Sequence, residues 1–316
     1  MRQLRADAIV NLPHGFRVRD VDPAADLSRV VHLLRTCDEH DAGVTDASEA
    51  WLRDDWRSSS IKGAIVLEND AGQTVGYLSL EALDPAASVT MFFPLAPSVR
   101  SLLRDPWTAY AAERLEQLAG PKAIRYAVVA AEEGAGPALE RTGYRFARVF
   151  WHMERSIDET YRPNVLPPDV TIRAYDADAD DRLVWRLVED SFAEHYGQDP
   201  QSWESWQEDM LGASTWDPDL VWIADVEGEP AGVVICQDID GVGWIGDLGV
   251  LKPVRGRGVG RALLEHGFSI LAARGRTLVR LNVDSDNETG AAGLYERAGM
   301  HVLRAFHCYE RPGPGE

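Results

Sequence analysis

The feature that most restricts how this chain can fold is a weak internal repeat at an offset of 156 residues. Phe16-Arg17 answers Ile172-Arg173, Gly72 and Gly76 answer Gly228 and Gly232, and Pro97 answers Pro253. Leu139-Glu140-Arg141-Thr142-Gly143-Tyr144 answers Tyr295-Glu296-Arg297-Ala298-Gly299-Met300. Arg148, Phe150, Glu154 and Arg155 then answer Arg304, Phe306, Glu310 and Arg311. One spacing that holds at both ends of each half, with so long a period, means a duplicated domain rather than a solenoid. The expected organisation is an N-terminal copy over 1–156, a proline-rich linker over 157–169 and a C-terminal copy over 170–316. Each copy is long enough to bury a core of its own.

Both copies read as α/β. In the N-terminal copy, helices are expected over Asp26–Thr36 and Glu113–Leu118. Strands are expected at Ala64–Leu67, Thr74–Leu80, Ile124–Ala130 and Phe146–Glu154. The C-terminal copy opens with a strand at Val170–Ala174, a helix over Asp181–Glu194 and a second helix around Trp203–Leu211. A hairpin turns at Glu227-Gly228-Glu229, and a central strand holds Trp244, Ile245, Leu248 and Val250. After a glycine-rich turn, Val259, Ala262, Leu263, Ile270 and Leu271 recur at helical spacing up to Gly275. Thr277–Val283 and Met300–Tyr309 read as the last strands, with Tyr295 on the helix between them.

The turn itself is Val254-Arg255-Gly256-Arg257-Gly258-Val259-Gly260-Arg261. Its glycines let a ligand approach the backbone, and their N–H groups stand at a helix start, where an anion is favoured. Three arginines add positive charge, so the turn suits a diphosphate. The spacing is neither G-x-G-x-x-G nor a Walker loop. It has the form R-x-x-G-x-G through Arg255, Gly258 and Gly260, and resembles the acyl-CoA pyrophosphate loop of the GNAT acetyltransferases. Downstream, Asn287 through Leu294-Tyr295 to Gly299-Met300 is similar to that family's Asn…Leu-Tyr-x-x-x-Gly-aromatic segment. Asn287 stands one residue farther from Tyr295 than is usual there, and Met300 replaces the aromatic.

The resemblance implies two tandem GNAT-like domains, each a mixed, mostly antiparallel sheet flanked by helices. It also implies acetyl-CoA as cosubstrate, with no metal. The strand of Leu248 and Val250 is then expected to part from that of Leu281 and Val283, with pantetheine paired in the gap and Asn287 against its arm. A backbone N–H near Val250 would stabilise the oxyanion. Arg255, Gly256, Arg257, Gly258, Val259, Gly260 and Arg261 would hold the diphosphate. Tyr295 is the expected general acid for the departing thiolate. Asp247, on the central strand, is a candidate base beside Glu194, His195, Tyr196 or an ordered water.

Under the repeat, Arg255, Gly258 and Gly260 fall on Val99, Leu102 and Arg104, Tyr295 falls on Leu139, and Asn287 falls on Ala131. The first copy is therefore expected to lack the diphosphate loop and the acid, and to be structural. A net charge of −19 disfavours nucleic acid and suits a cationic acceptor. The helices after Val170 carry Glu189, Asp190, Glu194, Glu204 and Asp209 among Trp203, Trp206 and Trp216, which fits a cationic or sugar-like amine or, equally, a solvated face over an aromatic core. Three unclustered cysteines, no apolar run of bilayer length and no signal pattern predict a soluble cytoplasmic protein without a membrane partner.

The expected activity is N-acetylation of a small-molecule primary amine by direct attack on the thioester, in a monomer (a pseudo-dimer of domains) or a homodimer. Length and two-copy layout resemble mycothiol synthase-like two-domain acetyltransferases. The rival expectations are an aminoglycoside- or antibiotic-type acetyltransferase and a non-catalytic acyl-CoA sensor.

Overall fold

The computed structural model describes residues 12–313, apart from 83–87, 121–122, 131, 133, 164, 198 and 288. It divides into two compact units. The first comprises residues 12–150 and 304–313, and the second 151–303.

In chain order the first unit holds β1 (Phe16–Asp20), α1 (Pro23–Ala42), α2 (Glu49–Arg57), β2 (Ile61–Asn69), β3 (Thr74–Glu81), β4 (Ser88–Phe92), α3 (Arg100–Leu118), β5 (Ile124–Ala130) and α4 (Ala135–Arg141). β6 (Arg145–Ser156) begins in it and ends in the second unit. The order β1-β2-β3-β4-β5 continues into the part of β12 (His301–Arg311) from Arg304 on. All these pairings are antiparallel except β4–β5. Asp22 and Ser48 start α1 and α2 by accepting first-turn N–H groups, the usual N-cap device. The helix expected at Glu113–Leu118 runs from Arg100. Pro106 lies inside it, buried neighbours Leu103, Trp107 and Tyr110 holding the turns on either side. The packing of that apolar stripe outweighs the missing proline donor.

The second unit adds β7 (Val170–Ala174), α5 (Asp181–Phe192), α6 (Trp203–Trp206), β8 (Val221–Val226), β9 (Glu229–Ile239), β10 (Val242–Val250), α7 (Val259–Ala273), β11 (Leu278–Asp284) and α8 (Ala291–Arg297). Its strand order is β11-β10-β9-β8-β7, with the end of β6 beside β11, and only β10–β11 is parallel among the pairings whose registers are known. Strand alternation sorts β9 onto two cores: Val233 and Ile235 face α5, while Val234 and Cys236 face α7. Phe268, Leu263, Leu264 and Leu271 are fully buried on the α7 side, each contributing roughly 1.5–3 kcal/mol by burial. The aromatics of the expected acceptor region pack on the α5 core: Trp206 is buried, with ring centroids 5.7 Å from the half-buried Trp203 and 6.2 Å from the half-buried Trp216. The helix expected to Leu211 finishes as a single wide turn at Gln207–Leu211.

The repeat is exact in places. α4 lies on α8 end for end, and the short turn Pro97–Val99 before α3 lies one residue from that of Lys252–Val254 before α7. The proline-rich segment lies within the second unit and is tied to it. Tyr161 packs edge-on to Phe268 at 5.8 Å, and the Asp169 carbonyl accepts the N–H of Glu227.

Candidate active site

The site starts from a defect in β10. Its register against β9 steps between Ile245–Cys236 and Asp247–Ile235, so Gly246 forms a bulge. Pairing with β11 is recorded at Gly243–Val279 and Trp244–Arg280, and at no later position among the described residues. β10 nevertheless runs to Val250 and β11 to Asp284, so the two strands part as expected from the sequence. Leu251 donates to the Ala231 carbonyl across β9 at 2.9 Å. By strand alternation Gly249 also turns its polar groups to β9, and Leu248 and Val250 turn theirs to the gap.

Gly249 sits where α5 crosses β10. A Cβ there would come within 2.9 Å of Ser191 Cβ and Oγ, so only glycine lets the helix approach this closely. At the far end of the strand, Gly256 and Gly258 take φ of +79 and +85, a left-handed turn that L side chains resist. Gly258 then becomes the N-cap of α7 with no side chain capping it. Ala262 is the first to bond back, to the Gly258 carbonyl, which leaves the N–H groups of Val259, Gly260 and Arg261 pointing along the positive end of a four-turn helix. Nothing lies within 4 Å of a Cβ at Gly256, and the side chains of Leu248 and Val250 lie against Gly260. An apolar wall, free strand amides and a helix start therefore line one gap, a fit for an extended carrier ending in a diphosphate.

The three arginines do different things. Arg255 turns inward, donating to the carbonyls of Val250 and Ser191 at 3.0 Å each. Arg257 is held by Glu227 at 2.7 Å and Asp169 at 3.4 Å. Arg261 pairs with Glu265, one turn on, at 2.7 Å.

Tyr295 is buried on α8, and burial together with the nearby Asp247 charge pushes its phenol up to about 12. Asp247 itself is partly accessible yet set deep among protein atoms, and loss of hydration pushes it up to about 6. The Tyr295 phenol feels the Asp247 charge, so the structure brings the expected acid near a candidate base. His195 feels the charges of Arg255 and of Asp284, at the end of β11. Burial and the Arg255 charge hold it below its ordinary value, the Asp284 charge opposing them. Glu194 is taken up by Lys252 and Arg255. Asn287 turns its side-chain oxygen to the N–H and hydroxyl of Thr289, shaping the entry to α8.

The chain is 30% identical over 300 residues to a mycothiol acetyltransferase of Geodermatophilus obscurus, an alignment covering 90% of this chain and 94% of that one. The chain belongs to the GNAT acetyltransferase family. Residues 183–300 match the Acetyltransferase (GNAT) family on their own. A mycothiol acetyltransferase of Thermomonospora curvata is 28% identical, with 91% and 94% covered. The crystal structure of a GCN5-related N-acetyltransferase from Sphaerobacter thermophilus superposes with a TM-score of 0.79 at 28% identity, covering 96% of this chain and 98% of that one. A tandem GNAT protein from the clavulanic acid biosynthesis pathway shares the fold, with a TM-score of 0.74 at 14% identity over 95% and 99% of the two chains.

Within this GNAT chain the first unit differs at the strand gap, the loop and the acid position. β4 pairs with β5 at each of its residues, from Ser88–Ile124 to Phe92–Val128, so no gap opens. Leu102 stands at the place of Gly258 and Leu139 at that of Tyr295, while Ala131 lies outside the described residues. Arg104, at the place of Gly260, is buried in an ion pair with Glu132.

Sequence reading passed over Ser191, Asp169 and Glu227. For the first, the signal was present: a glycine inside a strand marks a close backbone approach, and Gly249 meets Ser191. The other two come from a turn and a proline-rich segment, where no periodicity points to the loop.

Proposed function

We propose that this GNAT enzyme transfers an acetyl group from acetyl-CoA to a primary amine of a small molecule, with the second unit as the working half. One observation carries this: β10 and β11 part beyond Trp244 beside the uncapped start of α7, whereas β4 and β5 stay paired. The relatives named mycothiol acetyltransferase support a small acceptor.

The cosubstrate supplies an acyl group activated as a thioester. The amides of Val259, Gly260 and Arg261 hold its diphosphate, and the gap-facing amides of Leu248 and Val250 align the arm and polarise the acyl oxygen. Asp247 takes a proton from the acceptor ammonium. The amine nitrogen then bonds to the acyl carbon, the C–S bond breaks as Tyr295 gives its proton to the departing sulfur, and the second proton shed by nitrogen restores the phenol, so that one proton leaves through Asp247. Proton uptake by Asp247 favours the acid role of Tyr295. Once Asp247 is neutral, the charge that raised the Tyr295 phenol is gone and the phenol releases its proton more readily. Alignment of both reactants supplies the remaining advantage.

The test is thiol release from acetyl-CoA across a panel of aminosugars, diamines and cysteinyl amines, with CoA binding measured in parallel. We expect release with at least one amine, and Gly258→Leu, which copies the first unit, to abolish CoA binding in a folded protein. CoA binding without release from any amine would favour a sensor, and unchanged binding by Gly258→Leu would remove the loop from the site.

A further inference from the structure

Arg257 is held by two side-chain carboxylates from outside the loop and its helix, whereas Arg255 bonds backbone carbonyls and Arg261 pairs within the helix. Glu227, at the tip of the β8–β9 hairpin, adopts a left-handed backbone with φ +57. Asp169 closes the proline-rich segment, and its carbonyl accepts the Glu227 N–H at 3.0 Å. The backbone thus holds the two residues side by side through a bond that does not involve Arg257. The same segment touches the loop directly: a Cβ on Gly258 would meet Pro167 Cγ at 3.1 Å. Both carboxylate side chains are largely exposed, at 62% for Asp169 and 67% for Glu227. Pairs of this kind are weakly held and easily exchanged for a stronger anion.

We infer that Asp169 and Glu227 form a latch that holds Arg257 until a phosphate of the acyl carrier takes the guanidinium from them. They are positioning residues, and they set the carrier's affinity and its salt dependence. The inference rests on the reading of the glycine loop as the carrier site. Phosphate is the shared chemistry, and it has two sources, the diphosphate and the 3′-phosphate of CoA.

Calorimetric titration of the full chain tests it, using CoA, dephospho-CoA and pantetheine. With Asp169→Asn and Glu227→Gln combined, CoA is expected to bind about three- to ten-fold more tightly, a gain that fades toward ~1 M salt, where the Debye length is about 3 Å. Pantetheine, which has no phosphate, gains nothing, and adding Arg257→Ala removes the gain. A gain kept with dephospho-CoA assigns the latch to the diphosphate, and one lost there assigns it to the 3′-phosphate. Unchanged or weaker CoA binding by the double variant overturns the latch, as does a gain that survives Arg257→Ala or extends to pantetheine. Gly258→Leu serves as the separate control: if it binds CoA like the native chain, the loop reading itself has failed.

Discussion

Arg255 Nε lies 3.0 Å from the Val250 carbonyl oxygen while its Nη2 lies 3.0 Å from that of Ser191, so one guanidinium joins the end of β10 to the end of α5. The charge often assigned to phosphate in such a turn is here directed at two backbone acceptors, one on β10 and one on α5. Lysine could reach one of them but lacks the fork to hold both. Arg255→Ala and Arg255→Lys are both expected to weaken CoA binding by roughly ten- to hundred-fold, the scale of a lost charge-assisted hydrogen bond of about 1.5–3 kcal/mol. Titration calorimetry reads this directly. Native affinity in Arg255→Lys would show that charge, and not the fork, is what matters.

Asp247 predicts the acid limb of the pH profile. Burial raises its carboxyl to about 6, and only the ionised form can accept a proton from the acceptor. Turnover per bound complex is therefore expected to rise with pH through about 6 and then level. Asp247→Asn should lower that plateau by about a hundred-fold, the usual scale of one general base, and erase the limb. An unchanged limb in the variant would move the base elsewhere, with His195 next in line.

Tyr295→Phe keeps the ring and removes only the hydroxyl. Because the side chain is buried on α8 against the α7 core, the fold and the carrier affinity are expected to stay close to native. The acetylation rate should fall by about a hundred-fold or more, and acceptor KM should move little. Stopped-flow detection of released thiol separates rate from binding. An equal rate would leave Tyr295 as a core residue.

The repeat, the glycine turn and the helix start were legible because each depends on local residue types: glycine at positive φ, apolar spacing on α7, a polar turn at Glu227-Gly228. The opening between β10 and β11 was legible only through the family resemblance. Nothing in Leu248 or Val250 by itself says that a strand leaves its neighbour, and the bulge at Gly246 that directs it is a register effect between strands. The full length of α3 was hidden by Pro106, which local propensity reads as a stop. The acidic and aromatic stretch after Val170 was ambiguous because Trp203, Trp206 and Trp216 occur at spacings that serve a core as well as a cleft, and the α5 core takes them.

The first unit contains its own titration test, unrelated to catalysis. Asp55 on α2 is half-buried near Glu81 at the end of β3, and burial, then the Glu81 charge, push it up to about 7 from an ordinary 3.8. Burial raises Glu81 as well. Between those two values the folded chain holds a proton on Asp55 that the unfolded chain has released, so stability falls as pH rises through the window and the loss is complete above about 7. Asp55→Asn cannot ionise and escapes that loss. It is expected to be more stable than the native chain at pH ~8 by on the order of 1–2 kcal/mol, and about equal to it at pH ~3, below the ordinary value, where the native carboxyl is largely protonated in both states. Urea unfolding at the two pH values measures the difference. A native chain more stable than the variant at the higher pH would mean that Asp55 has a cationic partner in solution.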